Sequence, residues 1–177
     1  MGATRVISIV GKHNSGKTTL LVALAGELVR RGRKVMTLKH GAHPVEVDQP
    51  GKDTYRHFHE GRVDRVLLEA PGQRVLFERA PIEADPISLV KRFLTDADVV
   101  LVEGFKNHAL PKIEVHRKSV HRSPLLDPTA PDAAQWLAIL TDDDALRAPC
   151  AVFRFTDTMW LMALTAIAWD KAAVIET

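Results

Sequence analysis

The stretch Val10-Gly11-Lys12-His13-Asn14-Ser15-Gly16-Lys17-Thr18-Thr19 decides the fold, because it reads G-x-x-x-x-G-K-T between an apolar run and an apolar helical pattern. Upstream, Ile7, Ile9 and Val10 make a short β-branched run; downstream, Leu20, Leu21, Leu24, Leu28 and Val29 recur at helical spacing. A loop closed by Gly11 and Gly16 can turn its backbone N–H groups inward onto a triphosphate, where a Cβ at Gly16 would crowd the phosphates. In such a cradle Lys17 reaches the outer phosphates and acts on the reacting group, while the Thr18 hydroxyl ligates Mg²⁺. The helix that opens at Gly16 adds its unpaired N–H groups and the positive end of its dipole to the same anion. All nine positions from Gly11 to Thr19 are therefore expected to line the nucleotide.

Outward from that corner, strand and helix patterns alternate. The first strand is expected over residues 5–10 and the first helix over 17–31, with Gly32 as its stop. A second strand follows at 34–38, and then a long polar stretch to Gly61 whose length and composition predict a functional loop with a short helix. Residues 64–70 and 73–79, separated by Pro71-Gly72, predict a hairpin. Asp85-Pro86 opens a helix to about Thr95, with Leu89, Val90 and Phe93 on one face.

The run 98–104 is continuously apolar up to Glu103, as in a parallel strand covered on both faces. Short strands are expected at 112–117, 136–140 and 150–155, with a proline-rich loop at 124–131. Cys150 reads as a buried strand residue, and Thr156 or Asp157 as the cap of a last helix carrying Leu161, Leu164, Ile167 and Ala168 inward. Together these predict a single α/β domain over residues 1–177. The expected architecture is a P-loop NTPase fold, a mostly parallel doubly wound sheet with helices on both faces and a β-hairpin insertion.

Ligands collect at the C-terminal ends of the strands in such a sheet, which gives each acidic residue an address. Glu103 ends its strand and is expected to hold Mg²⁺ through water or to orient the attacking water; Asp98 begins the same strand and lies at the far end. Asp48 and Asp53, in the loop after the second strand, are further candidates for the metal's water shell, against a reading as turn-forming aspartates beside Pro50 and Gly51. Asp142 follows a strand end, where a carboxylate could accept the N1 and N2 protons of guanine, although by residue type the acidic turn 142–144 reads more readily as a solvated turn, or Asp142 as a helix cap. His40, His43, His57 and His59 match no closed zinc pattern.

Composition narrows the classes further. The chain's 177 residues, 46% hydrophobic and 26% charged with a formal charge of +2, suffice for a core. The run Arg30, Arg31, Arg33, Lys34 reads as a helix terminus and not as a nucleic-acid footprint. Neither a membrane-spanning run nor a signal segment is present, so a cytoplasmic protein is expected. Trp136, Trp160 and Trp169 lie in apolar patterns and are expected in the core or an interface.

With these residues in place, the chain resembles the molybdopterin-guanine dinucleotide biosynthesis adaptor proteins, the MobB family. Three segments carry the resemblance: 11–20; Lys39-His40 with 48–57; and Val102-Glu103-Gly104-Phe105-Lys106 with Pro111-Lys112-Ile113-Glu114-Val115. The first is generic, and the other two are distinctive. Glu46 stands where similar sequences often have Asp, and the match fades after Arg117. The resemblance implies a GTP- and Mg²⁺-binding protein, usually a homodimer, that partners the molybdenum cofactor guanylyltransferase, meets molybdopterin there, and hydrolyses GTP slowly.

Two other classes compete. A small-molecule kinase would use Arg117, Lys118, His121 and Arg122 as a lid on the transferring phosphate. A metal-delivery GTPase would use His40 and His43. Lys12, five residues before Lys17, has the offset at which some dimeric ATPases reach the partner's nucleotide.

Overall fold

A computed structural model describes residues 2–41 and 47–176 of the chain. It gathers them into two compact units: one holds the chain up to His40 and again from Asp85, and the other spans Gly41–Ala84.

The larger unit is built on β1 (Ala3–Val10), α1 (Lys17–Arg30) and β2 (Val35–Lys39). The smaller unit follows with α2 (Asp53–His59), β3 (Arg65–Ala70) and β4 (Gln73–Glu78). The chain then returns through α3 (Pro86–Phe93), β5 (Val99–Glu103), β6 (Lys112–His116), β7 (Trp136–Thr141), β8 (Ala151–Arg154), α4 (Trp160–Asp170) and β9 (Ala173–Glu176). Six strands run parallel in the order β2-β5-β1-β6-β7-β8, and β9 pairs antiparallel with the first half of β1.

Alternation along β1 sorts the core onto two faces. Ile7 and Ile9 point with Val99, Leu101, Ile113 and Val115 toward Leu20, Leu24 and Leu28 of α1 and Leu164 and Ala168 of α4. Val6 points the other way, with Val100 and Val102, onto Val90 of α3. Leu24 and Leu28 are fully buried, each contributing roughly 2 kcal/mol on removal from water. Helices thus cover both faces of the sheet, and every residue of β5 is buried, as its unbroken apolar run required. On the α3 side, Val10 and Ile139 are covered by Leu126 and Trp136, supplied by loop and strand edge and not by a helix.

In the smaller unit β3 and β4 form the expected hairpin, registered from Arg65 opposite Glu78 to Ala70 opposite Gln73. The Phe58 ring of α2 lies 6.3 Å from Phe77, and the Arg79 guanidinium lies over Phe58 at 4.4 Å.

Several expectations are corrected. β9 was not foreseen. The last helix begins at Trp160, after a turn in which the Asp157 carboxylate accepts the Arg154 N–H at 2.6 Å, so neither Thr156 nor Asp157 caps it. α3 stops at Phe93, and Phe93 is 44% exposed beneath the Arg92 guanidinium, so only Ile87, Leu89 and Val90 of this helix pack on the sheet. Cys150 precedes β8 and is half-buried, its thiol pushed up by burial. The basic run is held locally: Arg30 and Arg31 bind Glu27, Arg33 lies over Trp169, and Lys34 pairs with Asp96. Among the described residues no helix is long and apolar enough to cross a membrane.

Candidate functional site

The loop from Gly11 to Gly16 joins β1 to α1, and its shape is set by two glycines. Gly11 has φ +153°, and a Cβ there would lie 2.5 Å from both the Ser15 hydroxyl and the Val115 carbonyl. Gly16, the N-cap of α1, sits at φ +101°, a conformation that L side chains rarely adopt. Asn14 also takes a positive φ of 59°. The loop therefore bends back on itself with no side chain at either closing position, and the Ser15 hydroxyl, buried inside it, has no hydrogen-bond partner among the described residues. A cradle of this form fits a chain of phosphate oxygens.

β1 and β5 lie side by side with Ile9 opposite Glu103, and this pairing brings the end of β5 against the start of α1. The Thr18 hydroxyl donates to Glu103 Oε2 at 2.8 Å, and Lys39 Nζ, at the end of β2, stands 3.2 Å from Glu103 Oε1. Lys17 Nζ donates to the Lys12 carbonyl at 2.9 Å. Burial lowers the Lys17 ammonium below the usual lysine range, with the Glu103 carboxylate opposing that and Lys39 adding to it. His13, Asn14, Gly16, Lys17, Thr18, Thr19, Lys39 and Glu103 line one open cleft of about 370 Å³.

A hydroxyl and a carboxylate in contact, flanked by two ammonium groups, form a hard-oxygen pair suited to Mg²⁺ held through Thr18 directly and Glu103 through water. Asp98 Oδ2 accepts the Lys34 N–H at 2.7 Å, at the opposite end of β5 from Glu103. Lys39 was given no role of its own in the sequence reading, although it stands in one of the distinctive segments of the resemblance; the structure sets it at the end of a parallel strand beside Glu103.

Lys12 turns away from the cleft, donating to the Ser123 carbonyl at 2.8 Å. Asp142 lies at the end of β7 with Oδ1 accepting the Lys118 N–H at 2.6 Å and Oδ2 accepting the Ser119 hydroxyl at 3.1 Å. Burial alone would raise the Asp142 carboxyl, but these donors hold it below the usual carboxylate range. Asp48 and Asp53 belong to the smaller unit. There Asp48 Oδ1 accepts the Gln49 N–H at 2.9 Å, and Asp53 opens α2, lining a shallow pocket with Arg56, His57, Glu60 and Gly61.

The His40 ring packs on Phe105, centroids 4.6 Å apart, and the His59 ring stacks on Tyr55 at 4.1 Å. His43 and Glu46 lie outside the described residues. Among the described residues no group of three or more His, Cys, Asp or Glu side chains is arranged to hold a metal ion. The cations considered as a phosphate lid are also engaged: Arg117 lies over Phe155 at 3.9 Å, and Lys118 Nζ pairs with Asp143 at 2.9 Å.

Comparison with known proteins adds independent information. A family model described as Molybdopterin guanine dinucleotide synthesis protein B matches residues 6–142. The molybdopterin-guanine dinucleotide biosynthesis adapter protein of Haemophilus influenzae is 37% identical over 116 residues, which is 65% of this chain and 65% of that protein's length. The Escherichia coli protein of the same description is 34% identical over 67% of this chain and 69% of its own length. In structure, Bacillus subtilis MobB superposes with a TM-score of 0.69 over 92% of this chain and 96% of that one, at 23% identity, a likeness of fold.

Proposed function

This chain belongs to the molybdopterin guanine dinucleotide synthesis protein B family, and we propose that it serves molybdopterin guanine dinucleotide biosynthesis as a nucleotide-dependent adaptor that binds GTP with Mg²⁺ and presents itself to the guanylyltransferase that joins GMP to molybdopterin. The observation that carries this reading is the contact of Thr18 with Glu103 inside a cleft that also holds Lys17 and Lys39, behind a loop closed by Gly11 and Gly16.

In this proposal the free amides of the loop and the N-terminus of α1 bind the phosphates, with Lys12, His13, Asn14 and Ser15 shaping the loop and Thr19 lining the cleft from the first turn of α1. Lys17 leaves the Lys12 carbonyl for the outer phosphates, and Thr18 with Glu103 receives the metal. Bound Mg²⁺ supplies positive charge against the outer phosphate oxygens. Glu103, already tied to Thr18 and Lys39, orients water rather than removing its proton, which keeps hydrolysis slow. Asp142 has acceptor capacity beyond its bonds from Lys118 and Ser119 and is assigned to the guanine end. The working assembly is a homodimer that meets molybdopterin on the guanylyltransferase.

Calorimetric titration of GTP, ATP, GDP and ADP, each with and without Mg²⁺, tests the nucleotide assignment. Tighter binding of GTP than of ATP, strengthened by Mg²⁺, is expected, whereas equal or absent binding of both triphosphates removes it. Capture of the guanylyltransferase in the presence and absence of GTP tests the adaptor assignment. Equal recovery argues against nucleotide control.

A further inference from the structure

Residues 117–123 run from the end of β6 directly alongside the phosphate loop, and their contacts share one feature. His121 Nε2 donates to the His13 carbonyl at 2.7 Å, and Arg117 Nε donates to the Ser15 carbonyl at 3.3 Å. From the loop's side, Lys12 Nζ donates to the Ser123 carbonyl at 2.8 Å. The partners reached on the loop are carbonyl oxygens, the groups that would repel a phosphate if they faced it.

The segment is itself clipped to the sheet. The His121 carbonyl accepts from Nε2 of His116 at 3.0 Å, and the other ring nitrogen of His116 meets the Thr141 hydroxyl at 3.0 Å, with both residues buried. Asp142 holds the Lys118 N–H and the Ser119 hydroxyl. Glu114, also buried, accepts the N–H groups of Leu125 and Leu126. The Arg117 guanidinium is fixed by the Phe155 ring beneath it. A donor held this firmly can set the orientation of the peptide it binds.

We propose that Arg117 and His121 are positioning residues of the phosphate site: by holding the His13 and Ser15 carbonyls outward, they turn the N–H groups of the same two planar peptide units, those of Asn14 and Gly16, toward the anion. The proposal rests on the nucleotide-binding reading above. It assigns a role to a segment beyond the G-x-x-x-x-G-K-T motif, and the ligand class it serves is a polyphosphate, whatever base is attached.

The test is calorimetry of the full chain with inorganic tripolyphosphate and with GTP plus Mg²⁺, for wild type, His121→Ala, His121→Gln and Arg117→Lys, alongside urea unfolding of each ligand-free protein. Loss of one held carbonyl is expected to weaken tripolyphosphate about tenfold in His121→Ala, at an unchanged unfolding midpoint. Gln, which keeps an N–H donor, is expected to recover most of that loss. Arg117→Lys keeps the charge but loses the planar donor and the ring stack, and is also expected to bind about tenfold more weakly.

Wild-type affinity in His121→Ala would overturn the proposal, as would a loss that Gln does not recover or that tracks a fall in the unfolding midpoint. Wild-type affinity in Arg117→Lys would reduce Arg117 to a source of charge and overturn its share. A wild-type protein that binds neither ligand would overturn the nucleotide reading and this proposal together, a pattern distinct from failure of the proposal alone.

Discussion

The Thr18 hydroxyl donates to Glu103 Oε2 across 2.8 Å, joining the first turn of α1 to the last residue of β5. Thr18→Val keeps the side-chain shape without the hydroxyl, and Glu103→Gln keeps an acceptor without the charge. Each is expected to abolish the Mg²⁺-dependent gain in GTP affinity while leaving metal-free binding within about threefold of wild type. Calorimetry with Mg²⁺ and with a chelator checks this. A gain retained in both variants would place the metal elsewhere.

Gly11→Ala should be costly because its Cβ would meet the Val115 backbone oxygen at 2.5 Å, a neighbour fixed within β6. Overpacking against backbone, added to an unfavourable φ, predicts a loss of about 2–3 kcal/mol in unfolding free energy together with loss of triphosphate binding. Denaturant unfolding measures the first part. An unchanged midpoint would mean that the loop relaxes freely.

Much of the fold was legible because the local signals agreed with one another. The β-branched run, the glycine-bounded loop and the leucine spacing of α1 all pointed to one corner, and the unbroken apolar run of β5 announced burial on both faces. Where tertiary context decides, the sequence was silent or misleading. Residues 173–176 are too short a run to announce a strand, and it is their pairing with residues 3–6 of β1 that makes them one. Asp157 has the chemistry of a helix cap, yet its carboxylate is captured by Arg154 N–H one turn too early. Asp142 was legible as a strand-end carboxylate, but its two donors, Lys118 and Ser119, lie more than twenty residues back and leave no local mark. The role of residues 117–123 was hidden for the same reason, since its bonds are to the carbonyls of a distant loop.

Lys112 is fully buried, with its ammonium donating to the carbonyls of His108 and Leu110 and to Gln135 Oε1, and with Asp132 at 3.9 Å. Burial lowers its pKa, and the Asp132 charge opposes that. Lys112→Met preserves the stem but leaves the Leu110 carbonyl and Gln135 Oε1 without this donor, the His108 carbonyl keeping the Leu110 N–H, so a loss of about 2–4 kcal/mol is expected in urea unfolding. A neutral or stabilising result would show that the loops re-form around an apolar side chain.

Glu27, only 9% exposed, is held by Arg30 and Arg31, whose hydrogen bonds lower its carboxyl from 4.5 to about 2. Because the folded value lies below the unfolded one, its contribution is complete above pH 4.5 and disappears as pH falls toward 2. Glu27→Gln is therefore expected to be less stable than wild type at pH 7, with the difference shrinking through that interval. Urea midpoints taken at several pH values check the sign. A gap that stays constant with pH would mean that Glu27 acts through shape alone.

β9 pairs with residues 3–6 of β1, the strand that feeds the phosphate loop, and it is made after every other strand of the sheet. A nascent chain emerging from the ribosome can thus pair Arg5 and Val6 with β5 first, and the other edge of residues 3–6 is covered only once β9 has been released.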